Sequence, residues 1–209
     1  MKQPGSKPIS RSRPAGPGTA ESYPRPWRVI SRTRDYSYRV FGIRTDRALS
    51  PRTGREHSFY ILESSPWVNV IPLTPEQDVV LVRQYRHGTG QVTLEIPGGL
   101  VEDSDTPEKA AERELLEETG YRASEVLSLG AVHPNPAIQN NQCHTFLAKD
   151  VFPVGPQRQD EREDIEVVLR PVKVIPRLIR DGEITHALVL AAFYRFFMEY
   201  RSDLSGMVI

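Results

Sequence analysis

Glu114, Glu117 and Glu118, beside Arg113, have the residue types and the spacing to hold a divalent metal ion. They lie between the pair Gly98–Gly99 and the single Gly120, in GGLVEDSDTPEKAAERELLEETGY. At about 100° per residue, Glu114 and Glu118 stand one turn apart on a helix, with Glu117 on the neighbouring edge. Three carboxylates on one face repel one another. Arg113 reaches Glu117 at i+4, yet one guanidinium cannot neutralise all three. A hard cation with oxygen ligands can, and Mg²⁺ (or Mn²⁺) suits a site that also holds phosphates. The Gly98 carbonyl is a further candidate ligand, because glycine lets backbone approach an ion closely.

The spacing predicts a helix for this stretch. Thr106 is a suitable N-cap and Pro107 fits the first helical position, where its missing N–H is not needed. Lys109, Ala110, Ala111 and residues 115–118 are good helix formers, and Gly120 is a natural stop. An exposed, salt-bridged helix is the ordinary fate of glutamates spaced this way. The flanks favour the metal site. From Gly99 the order is glycine, five residues, an acid, seven residues, then Arg-Glu-Leu-x-Glu-Glu-x-Gly.

In this pattern the chain resembles the Nudix hydrolase family. Gly99, Arg113, Glu114, Leu115, Glu117, Glu118 and Gly120 match, while Asp105 stands where the family usually has Glu and Tyr121 where it usually has an aliphatic residue. The resemblance implies an α/β fold, an α/β/α sandwich with a mixed sheet, and metal-dependent hydrolysis of a phosphoanhydride. Further stretches resemble the ADP-ribose and nucleoside diphosphate sugar branch. There Arg86 would contact the diphosphate, and Glu95 the substrate or its supports. Pro136, sixteen positions beyond Gly120, resembles a mark of ADP-ribose pyrophosphatases. Asn140 and Asn141 follow, where relatives place polar residues near the terminal sugar; a turn-forming role is the alternative. In Glu161-Arg162-Glu163-Asp164-Ile165, Glu163 matches a metal ligand and Glu161 the water-activating base.

The expected site is therefore Gly98, Glu114, Glu117, Glu118 and Glu163 for metal, Glu161 with Glu117 and Glu118 for catalysis, and Arg86, Glu95, Trp27 and Asn141 for substrate. Trp27 or Tyr36 can stack on a base, or simply pack. From ADP-ribose the products would be AMP and ribose 5-phosphate. Relatives are homodimers in which the N-terminal unit completes the partner's site. Two other readings stand beside this one. Another Nudix substrate, such as GDP-mannose, a coenzyme A derivative or a capped nucleotide, is the first. A non-catalytic ADP-ribose sensor is the second, and the intact Glu114, Glu117 and Glu118 argue against it.

The elements that must position these residues follow from patterning. The first 26 residues are rich in Pro, Gly, Ser and Arg and read as a disordered tail. Residues 27–66 read as a small antiparallel β unit with a turn near Ser50–Gly54, too small to close its own core. Residues 67–209 read as the chemistry domain. It holds a hairpin turning at 75–78, a strand from Val92 running into Gly98 and Gly99, and two strands around the Pro/Asn loop. A further strand, a helix over 174–180 and a last helix over 187–201 complete it, the last burying Leu188, Ala192 and Phe196.

Composition narrows the partners. The 209 residues carry 27 Lys+Arg against 27 Asp+Glu, so no global charge points to nucleic acid or an anionic membrane. Hydrophobic residues at 38% suffice for a core. No apolar run reaches the ~18 residues of a membrane span. Cys143 is the only cysteine, which suits a reducing, cytoplasmic setting, and no Cys/His pairing for nucleophilic catalysis is apparent.

Overall fold

The structure is a computed structural model describing residues 24–200. Most of the expected tail, and Arg201 at the end of the expected last helix, lie outside the described residues. Three N-terminal strands, β1 (Arg28–Ser37), β2 (Gly42–Leu49) and β3 (Glu56–Glu63), form an antiparallel sheet in that order. Nearly every β1 side chain is exposed. Arg44 pairs with Asp46 and with Glu63, tying β2 to itself and to β3. The expected turn is present, with Gly54 at φ 68°.

The larger sheet has the order β12-β5-β4-β10-β9, with β6 on β5 and β7 on β4. Its strands are β4 (Trp67–Leu73), β5 (Asp78–Arg86), β6 (Gln91–Glu95), β7 (Gly98–Leu100), β9 (Glu125–Val132), β10 (Cys143–Lys149) and β12 (Ile165–Pro171). β10 runs parallel to β4 and the other pairings are antiparallel, so the sheet is mixed, as expected. Short strands β8 (Tyr121–Arg122) and β11 (Phe152–Pro153) pair beside it.

Alternation along the strands feeds two cores. Val68, Val70, Val80, Phe146 and Ala148 pack with Ala110, Ala111 and Leu115 of helix α1 (Pro107–Thr119). Ile71, Leu81 and Leu147 pack on the other side with helices α2 (Ile175–Arg180) and α3 (Ala187–Glu199), around the fully buried Phe193. Burying such a side chain contributes about 1.5–3 kcal/mol, so the two clusters clamp the sheet between helix layers. Helix α3 buries Val189, Ala192, Phe193 and Phe196; Leu188, expected in that stripe, is only half-buried at the first turn.

One expected strand divides in two. Residues after Val92 were expected to run straight into the glycine pair, but Pro97 has no N–H and restricts Ile96. β6 therefore ends at Glu95 on β5, and the chain crosses to β4, where Gly98 faces Asn69 and Gly99 faces Val68. β4 and β5 pair only at Leu73–Val79, and the crossing fills the wedge between them.

Candidate active site

Helix α1 forms as its ends dictate. The Thr106 hydroxyl accepts from the Lys109 N–H at 3.3 Å, and Gly120 closes the helix at φ 75° with its N–H on the Leu116 carbonyl. Its acidic face turns toward β7. The Gly98 N–H donates to Glu118 Oε2 at 3.0 Å. A Cβ on Gly98 would overlap the Val68 carbonyl, and one on Gly99 would overlap the Glu114 carboxylate. The glycine pair is thus what lets β7 press against both β4 and the acidic face.

Arg113 organises the other carboxylates. Its Nε donates to Asp105 at 3.1 Å, its Nη1 to Glu114 at 2.8 Å and to Glu117 at 3.1 Å, and its Nη2 to the Leu100 carbonyl at 3.0 Å. Asp105 braces the loop through this arginine. Glu118 is not among the ion-pair partners of Arg113 and is only 3% exposed. Burial, and then the charge of Glu114, push its carboxyl up to about 8. Burial raises Glu114 as well, against the pull of Arg113, and Glu163 adds repulsion to both.

Glu163 and Glu161 lie exposed on the loop before β12, where Glu163 Oε2 accepts from the Asp160 N–H at 3.0 Å. The loop is strapped to the end of α1. The Arg158 N–H donates to the Glu117 carbonyl at 2.8 Å, and the Gln157 amide donates to the Glu118 carbonyl at 2.5 Å and to the Ile165 carbonyl at 3.0 Å. Among the described residues no three His, Cys, Asp or Glu side chains stand ready as a metal cage. The donor chemistry nonetheless fits a hard divalent ion. Glu114 and Glu118 are buried oxygen ligands short of positive charge, and the charge of Glu163 adds to their repulsion.

Beside Gly98 and Gly99 opens a cavity of about 640 Å³, with Arg86 and Glu95 in its wall. Arg86 donates to both Glu95 oxygens, from Nε at 2.9 Å and Nη2 at 2.7 Å, and Thr93 donates to Glu95 at 2.6 Å. Burial opposes the charge on Glu95, but these bonds outweigh it and hold the carboxyl below its usual range. The pair aims the guanidinium and leaves Nη1 free of Glu95.

Trp27 and Asn141 are not brought to this cavity within one chain. Trp27 packs edge-on against His57 and Phe59 and lines a separate hollow, while Tyr36 is exposed. Asn141 is buried and donates to the Ser65 carbonyl at 3.2 Å, and Asn140 accepts from the Ser64 N–H at 3.2 Å. These bonds fasten the link between the two sheets at Ser64 and Ser65. Cys143 is buried, with its thiol pushed up to about 12 by burial, a poor nucleophile. Thr93, Asn69, Gln157 and His186 were not foreseen. Thr93 meets Glu95 two residues along the same strand, while Asn69 and Gln157 bond to carbonyls far along the chain, where no local spacing marks them.

The NUDIX domain model matches residues 64–193, which spans the acidic helix, the crossing strand and both helical layers. The chain belongs to the Nudix family. Its relatives include an ADP-ribose pyrophosphatase of Bacillus subtilis (strain 168), 28% identical over 77% of this chain and 86% of that protein. An ADP-sugar pyrophosphatase of Mus musculus is 34% identical over 64% of this chain and 66% of that protein. A crystal structure of an ADP compounds hydrolase superposes with a TM-score of 0.76, covering 88% of this chain and 98% of that one. At 21% identity that likeness speaks for the fold. As a Nudix hydrolase the protein cleaves a diphosphate linkage, chemistry that in this family generally requires a divalent metal. No helix of the described residues is long and apolar enough to cross a membrane.

Proposed function

We propose that this Nudix hydrolase splits the diphosphate of ADP-ribose or a related nucleoside diphosphate sugar into a nucleoside monophosphate and a sugar phosphate. The observation that carries the reading is the Arg86–Glu95 fork, standing in one cavity with the glycine pair that abuts Glu114 and Glu118. Glu114, Glu117, Glu118, Glu163 and the Gly98 carbonyl are the residues that would hold Mg²⁺ or Mn²⁺. When bound, the ions neutralise the diphosphate and acidify the attacking water. Arg86 binds the diphosphate and offsets charge as it redistributes in the transition state. Glu161, on the strapped loop, takes the water's proton, with Glu117 and Glu118 as neighbouring carboxylates. Gln157 and Arg158 keep that loop against the helix.

Residues 27–66 are proposed as the dimer unit and residues 67–209 as the catalytic domain. Exposed aromatic and aliphatic residues on the small sheet, Tyr36 and Tyr60 among them, support a second copy as its cover. In such a dimer Trp27 can reach the partner's cavity and stack on the base. The buried thiol of Cys143 suits a cytoplasmic setting. The test is a panel of ADP-ribose, ADP-glucose, GDP-mannose and a coenzyme A derivative, with Mg²⁺ and with Mn²⁺. AMP and ribose 5-phosphate should appear from ADP-ribose at the highest kcat/KM. A higher value with GDP-mannose or the coenzyme A derivative would replace this reading.

A further inference from the structure

The cavity beside the glycine pair runs away from the acidic helix to the start of α3, and polar groups there have no protein partner. Asn69, on β4, is 6% exposed and lines the cavity. Its Nδ2 donates to the Leu188 carbonyl at 3.2 Å, which sets the orientation of the amide, since the reverse would oppose two oxygens. Asn69 Oδ1 is therefore the free end, buried and unpaired. His186 Nδ1 is also buried and unpaired, and His186 lines the same cavity. His186 holds the N-cap position of α3, yet its side chain makes no capping bond. Buried polar atoms are nearly always paired, so two orphans in one cavity wall call for an outside partner.

Their chemistry narrows the partner. Asn69 Oδ1 can only accept, so an anion seated against it would meet its lone pairs. A hydroxyl can donate to Asn69 Oδ1 and can either donate to or accept from His186 Nδ1. Trp67, Leu100, Leu188 and Val189 complete this part of the wall and suit the C–H edges of a sugar ring. Arg86 shares the cavity, so a ligand whose diphosphate meets Arg86 can send its far half toward α3.

We propose that Asn69 and His186 bind hydroxyls of the sugar beyond the diphosphate, and so set the preference for sugar nucleotides over other diphosphates. The assignment rests on the nucleoside diphosphate sugar reading above. It gives the sugar-recognition role to two residues 117 positions apart rather than to Asn141, whose Oδ1 is also buried and unpaired but which does not line this cavity.

The test compares kcat/KM for ADP-ribose and for the methyl ester of ADP, which keeps the diphosphate and lacks the sugar. The full chain with Mg²⁺ is used as wild type, Asn69→Leu, His186→Phe and His186→Gln. The ratio of ADP-ribose to ADP methyl ester should fall about tenfold in Asn69→Leu and in His186→Phe, the loss of one neutral hydrogen bond, mostly through KM. His186→Gln, which restores a donor and acceptor, should recover most of it. Asn69 is buried and its variant can misfold; His186 is half-buried, and its two variants decide the matter alone. An unchanged ratio in His186→Phe, with both activities lowered equally or neither lowered, overturns the proposal. Wild-type protein that cleaves neither compound overturns the substrate reading and this assignment with it.

Discussion

The acidic helix and the N-terminal sheet carry charge in opposite ways. On α1, Glu114 and Glu118 are buried, close together and short of positive charge, and Arg113 is divided among three acids. On the small sheet the paired acids are matched by arginines: Asp46 meets Arg44 and Arg32, Glu63 meets Arg44 and Arg34, and Glu56 meets Arg47. An exposed pair such as Arg47–Glu56 contributes little to stability, because water competes for both partners. Crowded buried carboxylates cost stability and persist where a ligand relieves them. The first region is strained for chemistry, and the second is a paired surface open for contact.

The sharpest way to break that contrast is Glu118→Gln. Turnover should drop by several orders of magnitude while the circular dichroism spectrum stays unchanged. Near-wild-type rates would remove the acidic face from the mechanism. A pH series comes next. The folded Glu118 carboxyl lies at about 8 against 4.5 for a free one, so the folded protein keeps a proton that the unfolded chain has released. Its contribution is fully present below about pH 4.5 and is lost as pH rises through about 8. Metal-free protein should therefore show a Tm that falls between about pH 4.5 and 8. Added Mg²⁺ should reverse most of the fall, and Glu118→Gln should flatten it. A flat wild-type profile would mean the carboxylate is not confined.

Gly98→Ala tests the packing behind the same face. Its Cβ would meet the Val68 carbonyl, so backbone must shift, at a cost of about 1–3 kcal/mol by chemical denaturation, with reduced kcat. The smallest effect on the fold belongs to the other region. Tyr60→Ser, at a position 69% exposed, should change stability by no more than about 0.5 kcal/mol. Light scattering should nonetheless show the particle mass moving from dimer toward monomer. If the mass does not change, this face of the sheet is not the dimer contact.

Legibility followed the range of the forces. Helix α1 was readable because a hydroxyl at Thr106, a ring at Pro107 and a left-handed glycine at 120 act within a turn of their own positions. The Arg113–Glu117 contact was readable for the same reason. Pro97 was visible, but its effect was not, because the chain's change of partner depends on β4 and β5 splaying beyond Leu73–Val79. Trp27 and Asn141 were assigned by residue type and by resemblance, and type does not say which neighbour a side chain will find.

By itself, the order of residues determined that an acidic helix would form after a glycine pair and that arginine and glutamate would flank it. Local sterics and hydrogen bonding need only a few adjacent residues. Tertiary structure alone decided that Glu118 would be buried and Asp105 spent on Arg113. It also aimed Arg86 by Glu95 and brought Asn69 and His186 to one cavity. Burial and pairing are properties of surfaces that meet only when distant strands and helices pack.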